Sequence, residues 1–245
     1  MSTRGRRGAN WTLITPDNHY VSRLAVLQRA SVVKLVTPRL VPARFGQYLV
    51  QMSPRGGTEG ELPAGEEHFL LLLDGELTVA SGTEILHLEP GGFAYLPPDE
   101  TMSFLAGRTG PGALAIWLKR PYEEAAGLAP PALVTGHRDD EPFTDTATEG
   151  VSRRELLPVD DPARDFAMSL LRFAPGAGLP QVEIHDEEHG LWMTAGGGTY
   201  HLDGEDLAVE RNDFIYMAPY CPQSFVAGAE GGEYLLYKDA WRDGF

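Results

Sequence analysis

Residues 84–104, EILHLEPGGFAYLPPDETMSF, reappear 121 positions later at 205–225 as EDLAVERNDFIYMAPYCPQSF, without a gap. Under that one shift Glu84, Leu86, Glu89, Phe93, Tyr95, Pro98, Ser103 and Phe104 meet identical residues. Outside the stretch, Ser31, Leu35, Phe45, Pro54, Gly57 and Gly75 do the same. A constant period of this length marks a duplicated domain. Within each copy, apolar or alternating runs such as HFLLLLDGELTVA, ALAIWLK and DFIYMAP are broken by Gly, Pro and Asp, which is the pattern of strands. Many short strands in a unit of this size predict an all-β chain of two tandem jelly-roll barrels. Residues 1–120 are expected to form the first barrel with an N-terminal arm, and 151–245 the second. Between them, 121–150 is Pro-rich and acidic and reads as a connector with room for a short helix.

Composition narrows the function. With 245 residues, 42% hydrophobic and 22% charged, the chain is long enough to bury a substantial core. A formal net charge of -15 argues against nucleic acid and anionic membranes as partners, because both require a basic footprint. A small anionic substrate would then need a local cation. The single cysteine, Cys221, excludes an internal disulfide framework and a thiolate metal cluster within one chain. The basic start MSTRGRRGANWTLI is not followed by a signal-peptide run, and no stretch approaches a membrane span, so the expected location is cytoplasmic.

Chemistry concentrates in residues 183–190, EIHDEEHG, which hold two of the chain's seven histidines and four carboxylates. On a helix, His185 and His189 would share a face as in a metalloprotease, but Asp186 stands where that motif requires Glu. Gly176, Gly178 and Pro180 upstream and GLWMTAGGG downstream also make a poor helix. On a strand, Glu183 and His185 share a face, and a turn through DEE returns His189 beside them.

These residues resemble a known family. Glu183-x-His185-x3-His189-x6-Gly196 is similar to the first cupin motif with its His and Glu roles permuted. Asn212, Asp213, Pro219 and Gln223 have the spacing of the second motif, with Gln223 in place of its histidine and Asn212 in place of its usual glycine. A bicupin with a Glu, His, His and Gln set resembles the (S)-ureidoglycine aminohydrolases, manganese enzymes of allantoin and purine degradation. The likeness runs from NWTLITPD at residue 10 to YKDAWRD at 237–243.

The resemblance implies that Glu183, His185, His189 and Gln223 hold one Mn2+ and that Tyr200, Gln223, Tyr234 and Lys238 meet the substrate. Lys238 and Glu183 are the implied catalytic residues. It also implies the reaction, in which water replaces the amino group of (S)-2-ureidoglycine to give ammonia and (S)-ureidoglycolate. The nitrogen and oxygen donors suit Mn, Fe, Ni or Zn. Alternation places Tyr234, Leu236 and Lys238 on one strand face, from which Lys238 either neutralises the substrate carboxylate or protonates the leaving amine. Two other readings stand beside this one: a non-catalytic cupin that binds a metal and a small carboxylate, and a different cupin enzyme such as a dioxygenase or isomerase. Subtracting 121 from the four ligand positions gives Leu62, Ala64, His68 and Met102, so the first barrel is expected to be metal-free, with His68 a satisfied buried histidine. Exposed sheet faces on a duplicated barrel predict a homo-oligomer.

Overall fold

The computed structural model describes residues 3–240, so Trp241, Arg242 and Asp243 of the YKDAWRD run lie outside it. The chain is all-β, and a short 3-10 turn at Pro16–Asn18 is the single helical element among the described residues. It divides into two compact units: residues 20–140 with 163–165, and residues 3–19 with 141–162 and 166–240.

In the unit built on residues 20–140 the strands pair antiparallel, with Glu66–Gly75 between Gly92–Leu96 and Ala113–Pro121 at the centre of the sheet. Alternate residues point inward, and Val50, Met52, Leu70, Leu72, Val79, Phe104 and Trp117 form its core. The expected connector contains strand in place of a helix. Val134–His137 pairs with Gly92–Leu96 in this unit, and Thr144–Asp145 pairs with Val151–Leu157 in the other. Two β-branched residues, Val134 and Thr135, favour that extension, and the Thr135 hydroxyl donates to Phe93 O at 3.0 Å.

The second unit runs in the order Arg6–Arg7, Trp11–Ile14, Phe214–Met217, His189–Leu202, Gln223–Asp239, Phe166–Phe173, Val151–Leu157. Its two long strands, His189–Leu202 and Gln223–Asp239, pair antiparallel from His189 opposite Lys238 to Leu202 opposite Gln223. The register slips within Met193–Ala195 and Gly196–Gly198, where the strands bend. Glycine is required at this bend. A Cβ on Gly196 would lie 2.2 Å from Gly231 O, and one on Gly198 2.2 Å from Val226 O.

The N-terminal arm is found in the second unit, whereas the sequence suggested that it belonged to the first. Trp11–Ile14 pairs with Phe214–Met217, a non-local contact that no local pattern announces. Trp11 and Leu13 point into the core and are 3% and 2% exposed, while Arg4 clamps the fully buried Asp213 with two hydrogen bonds of 2.9 Å. Trp11→Ala is therefore expected to lower the unfolding free energy by about 3–5 kcal/mol, the usual range for emptying a buried indole site. Denaturant titration of the full chain checks this, and an unchanged midpoint would refute the arm's place in the core.

Matching pairs recur at the 121-residue shift. Tyr95 donates to Glu67 at 2.6 Å, and Tyr216 donates to Glu188 at 3.1 Å. Each carboxylate is buried and immediately precedes a histidine, His68 or His189.

Candidate metal centre

The segment between Phe173 and His189 is not helical. It runs antiparallel along the start of the Gln223–Asp239 strand. Leu179 N donates to Phe225 O at 2.9 Å, and Glu183 and Gln223 exchange both backbone hydrogen bonds, at 2.8 and 3.0 Å. That mutual pair puts the Glu183 and Gln223 side chains side by side. Tyr220 N then donates to His185 O at 2.7 Å, holding the turn that leads into His189.

Three donor groups converge as a result. His185 Nε2 lies 3.3 Å from His189 Nε2 and 3.1 Å from the Gln223 side-chain amide. Donor atoms about 2.1 Å from a first-row divalent ion sit about 3.0–3.4 Å from one another, so these spacings suit a shared ion. The amide oxygen and nitrogen of Gln223 are interchangeable by a flip, which would turn the oxygen toward the imidazoles and the nitrogen toward Tyr200. As placed, the Tyr200 hydroxyl donates to Gln223 Oε1 at 3.3 Å. Among the described residues no three His, Cys, Asp or Glu side chains gather closely enough to hold an ion by themselves. Glu183 lines the same cleft without closing on the histidine pair as a third such group.

Electrostatics favours neutral donors. Burial, with the nearby charges of His185 and Lys238, pushes the His189 imidazole down to about 3, so its ring keeps a free lone pair at neutral pH. Burial likewise raises the Tyr200 and Tyr234 hydroxyls well above the phenol range, and the two lie near enough in the core to influence each other. Tyr234 therefore backs Tyr200, which touches Gln223.

Lys238 faces His189 directly across the two strands. Its Nζ is 2.9 Å from Glu187 Oε1, and the other oxygen of Glu187 is 2.9 Å from His185 Nδ1, close but not aligned with the ring N–H direction. Burial pushes the Glu187 carboxyl up, but the hydrogen bond and charge of Lys238, together with His185, outweigh it and hold it below its ordinary value. The motif spacing does not single out Glu187. The alternation 183, 185, 187 was the available signal, masked by three consecutive acidic residues.

The cleft over these groups has a volume of about 650 Å³, and its walls include Glu183, His185, His189, Leu236 and Lys238. Arg153 also lines it, a residue that belongs to neither motif.

The other unit carries a different set of side chains at the positions that match under the 121-residue shift. Leu62 and Met102 form the bridge that Glu183 and Gln223 form here. His68 is 1% exposed, its ring pushed down to about 3 first by burial and then by Lys119. Trp117, at the position matching Lys238, donates its indole N–H to His68 Nδ1 at 3.3 Å.

No family model matches the chain. Over 238 residues it is 32% identical to the (S)-ureidoglycine aminohydrolase of Escherichia coli K12, covering 96% of this chain and 90% of that protein. It is 31% identical over 243 residues to the (S)-ureidoglycine aminohydrolase of Arabidopsis thaliana, covering 98% and 79% respectively. Among solved structures, protein Ylba from E. coli superposes with a TM-score of 0.86 at 29% identity, over 100% of this chain and 97% of that one.

Proposed function

The chain belongs to the (S)-ureidoglycine aminohydrolase family, and on that premise we propose that it replaces the amino group of (S)-2-ureidoglycine by water. The observation that carries this reading is the meeting of His185, His189 and the Gln223 amide at 3.1–3.3 Å under a lysine-carboxylate pair. His185, His189, Gln223 and Glu183 would hold one Mn2+, with Glu183 supplying the anionic ligand. A bound divalent ion supplies positive charge that fixes the substrate and eases departure of its amine.

The protein's own groups do the rest. Tyr200 orients Gln223, and Tyr234 fixes Tyr200 from behind. Lys238 hands a proton to the amino group as the C–N bond breaks, and that group leaves as ammonia. Water forms the new C–O bond, and its proton returns to Lys238 beside Glu187. Atoms balance: ureidoglycine and water give ureidoglycolate and ammonia.

The same reading extends to architecture and assembly. Two cupin barrels made by duplication account for the matched Glu–Tyr pairs and for the matched bridges at 62–102 and 183–223. We infer a homo-oligomer in the cytoplasm, acting on a small anion and not on nucleic acid. A concentration-independent monomer mass in light scattering would count against the oligomer. The activity itself is tested with freshly made (S)-ureidoglycine in oxygen-18 water. One label should enter the carbinol oxygen of ureidoglycolate as one ammonia appears, and an unlabelled product or no ammonia would overturn the assignment.

A further inference from the structure

One residue lining the cleft, Arg153 on the strand Val151–Leu157, has no part in the proposed chemistry. Arg153 lies opposite Leu171, and Leu171 lies opposite Tyr234, so the three form one cross-strand row. Directly paired residues point to the same side of a sheet, which turns Arg153 to the face carrying Tyr234, Leu236 and Lys238. The next row along that face contains Glu155, Ser169 and Leu236.

The guanidinium is satisfied there by weak partners. Its Nε and Nη2 both donate to Ser169 Oγ at 3.1 Å, and Nε is 3.7 Å from Glu155 Oε1. A planar fork suited to two carboxylate oxygens thus converges on one uncharged hydroxyl. Other arginines of this unit are matched better. Arg172 donates twice to Glu233, at 3.0 and 2.7 Å, and Arg4 twice to Asp213, at 2.9 Å. Of the two cations lining the cleft, Lys238 already has Glu187 at 2.9 Å. The charge of Arg153 reaches the site interior, where it opposes the effect of Glu183 on the Tyr234 hydroxyl. At the 121-residue shift Arg153 becomes Val32, so the other unit lacks this cation as well as the donor set.

We propose that Arg153 is the anchor for the substrate's α-carboxylate, exchanging Ser169 Oγ for the two carboxylate oxygens and leaving Lys238 to serve the amine. The assignment rests on the ureidoglycine reading above. It makes the site selective for an α-carboxylate over the corresponding amide, because an uncharged group cannot replace the ion pair.

N-Carbamoylglycine has the carboxylate and ureido group of the substrate without its leaving amine, and its primary amide lacks the charge. Calorimetric titration of both into Mn2+-loaded protein separates the possibilities. Arg153→Met is expected to weaken the carboxylate by about 30-fold, the scale of a lost charge-assisted contact, and to leave the amide within about twofold. Arg153→Lys should recover part of the loss. With ureidoglycine, Arg153→Met should raise KM far more than it lowers kcat. If wild-type protein releases ammonia yet Arg153→Met binds the carboxylate normally, the anchor is wrong and the reaction stands. Equal loss of carboxylate and amide would make Arg153 a structural residue and overturn the proposal. Protein that neither binds N-carbamoylglycine nor releases ammonia would overturn both.

Discussion

Replacing His185 and His189 together by alanine is expected to abolish stoichiometric divalent-ion binding and to lower ammonia release from (S)-ureidoglycine by about a thousandfold or more. The two rings supply two of the three groups that converge at 3.1–3.3 Å, and the other unit offers His68 with no second donor across the bridge. A loss of several kcal/mol in charge stabilisation corresponds to about three orders of magnitude in rate. Elemental analysis reads the first effect and an ammonia assay the second, with thermal melting to confirm that the variant folds. Retention of one ion per chain would show that the ion sits elsewhere.

Lys238→Met separates chemistry from metal holding. Lys238 pairs across the strands with His189 but touches Glu187, not the converging donors. Metal occupancy should therefore stay near that of the unaltered protein, while kcat/KM falls about 100-fold, the scale of a lost general acid. With the carboxylate held by Arg153, most of that fall should appear in kcat. Full activity would remove Lys238 from the reaction, and joint loss of metal and activity would make its role structural.

Much of this was legible because it repeats or is local. The 121-residue register exposes two similar units without any knowledge of their contacts, and it points to residues 62, 64, 68 and 102 as the places to look for missing donors. Period-two alternation is enough to turn Glu183 and His185 toward the same cleft and to put Tyr234 in line with Lys238. Three features were hidden, each for a physical reason. The pairing of Trp11–Ile14 with Phe214–Met217 joins segments about 200 residues apart, which local patterning does not encode. Glu187 is one of three adjacent acidic residues, and only the turn between His185 and His189 shows which of them meets Lys238. Arg153 becomes part of the cleft through two successive registers, first to Leu171 and then to Tyr234. For the arm, proximity in sequence favours the first unit, while burial of Trp11 and Leu13 decides where it packs.

One divalent ion, held by the unit that carries His185 and His189, is proposed to equip this chain to release ammonia from (S)-ureidoglycine. Adding Mn2+ stepwise to metal-stripped protein while following ammonia release tests it most directly. Activity should rise from near zero and level off at one ion per chain. Full release without metal, or a plateau reached only at two ions per chain, would overturn the assignment of a single catalytic ion.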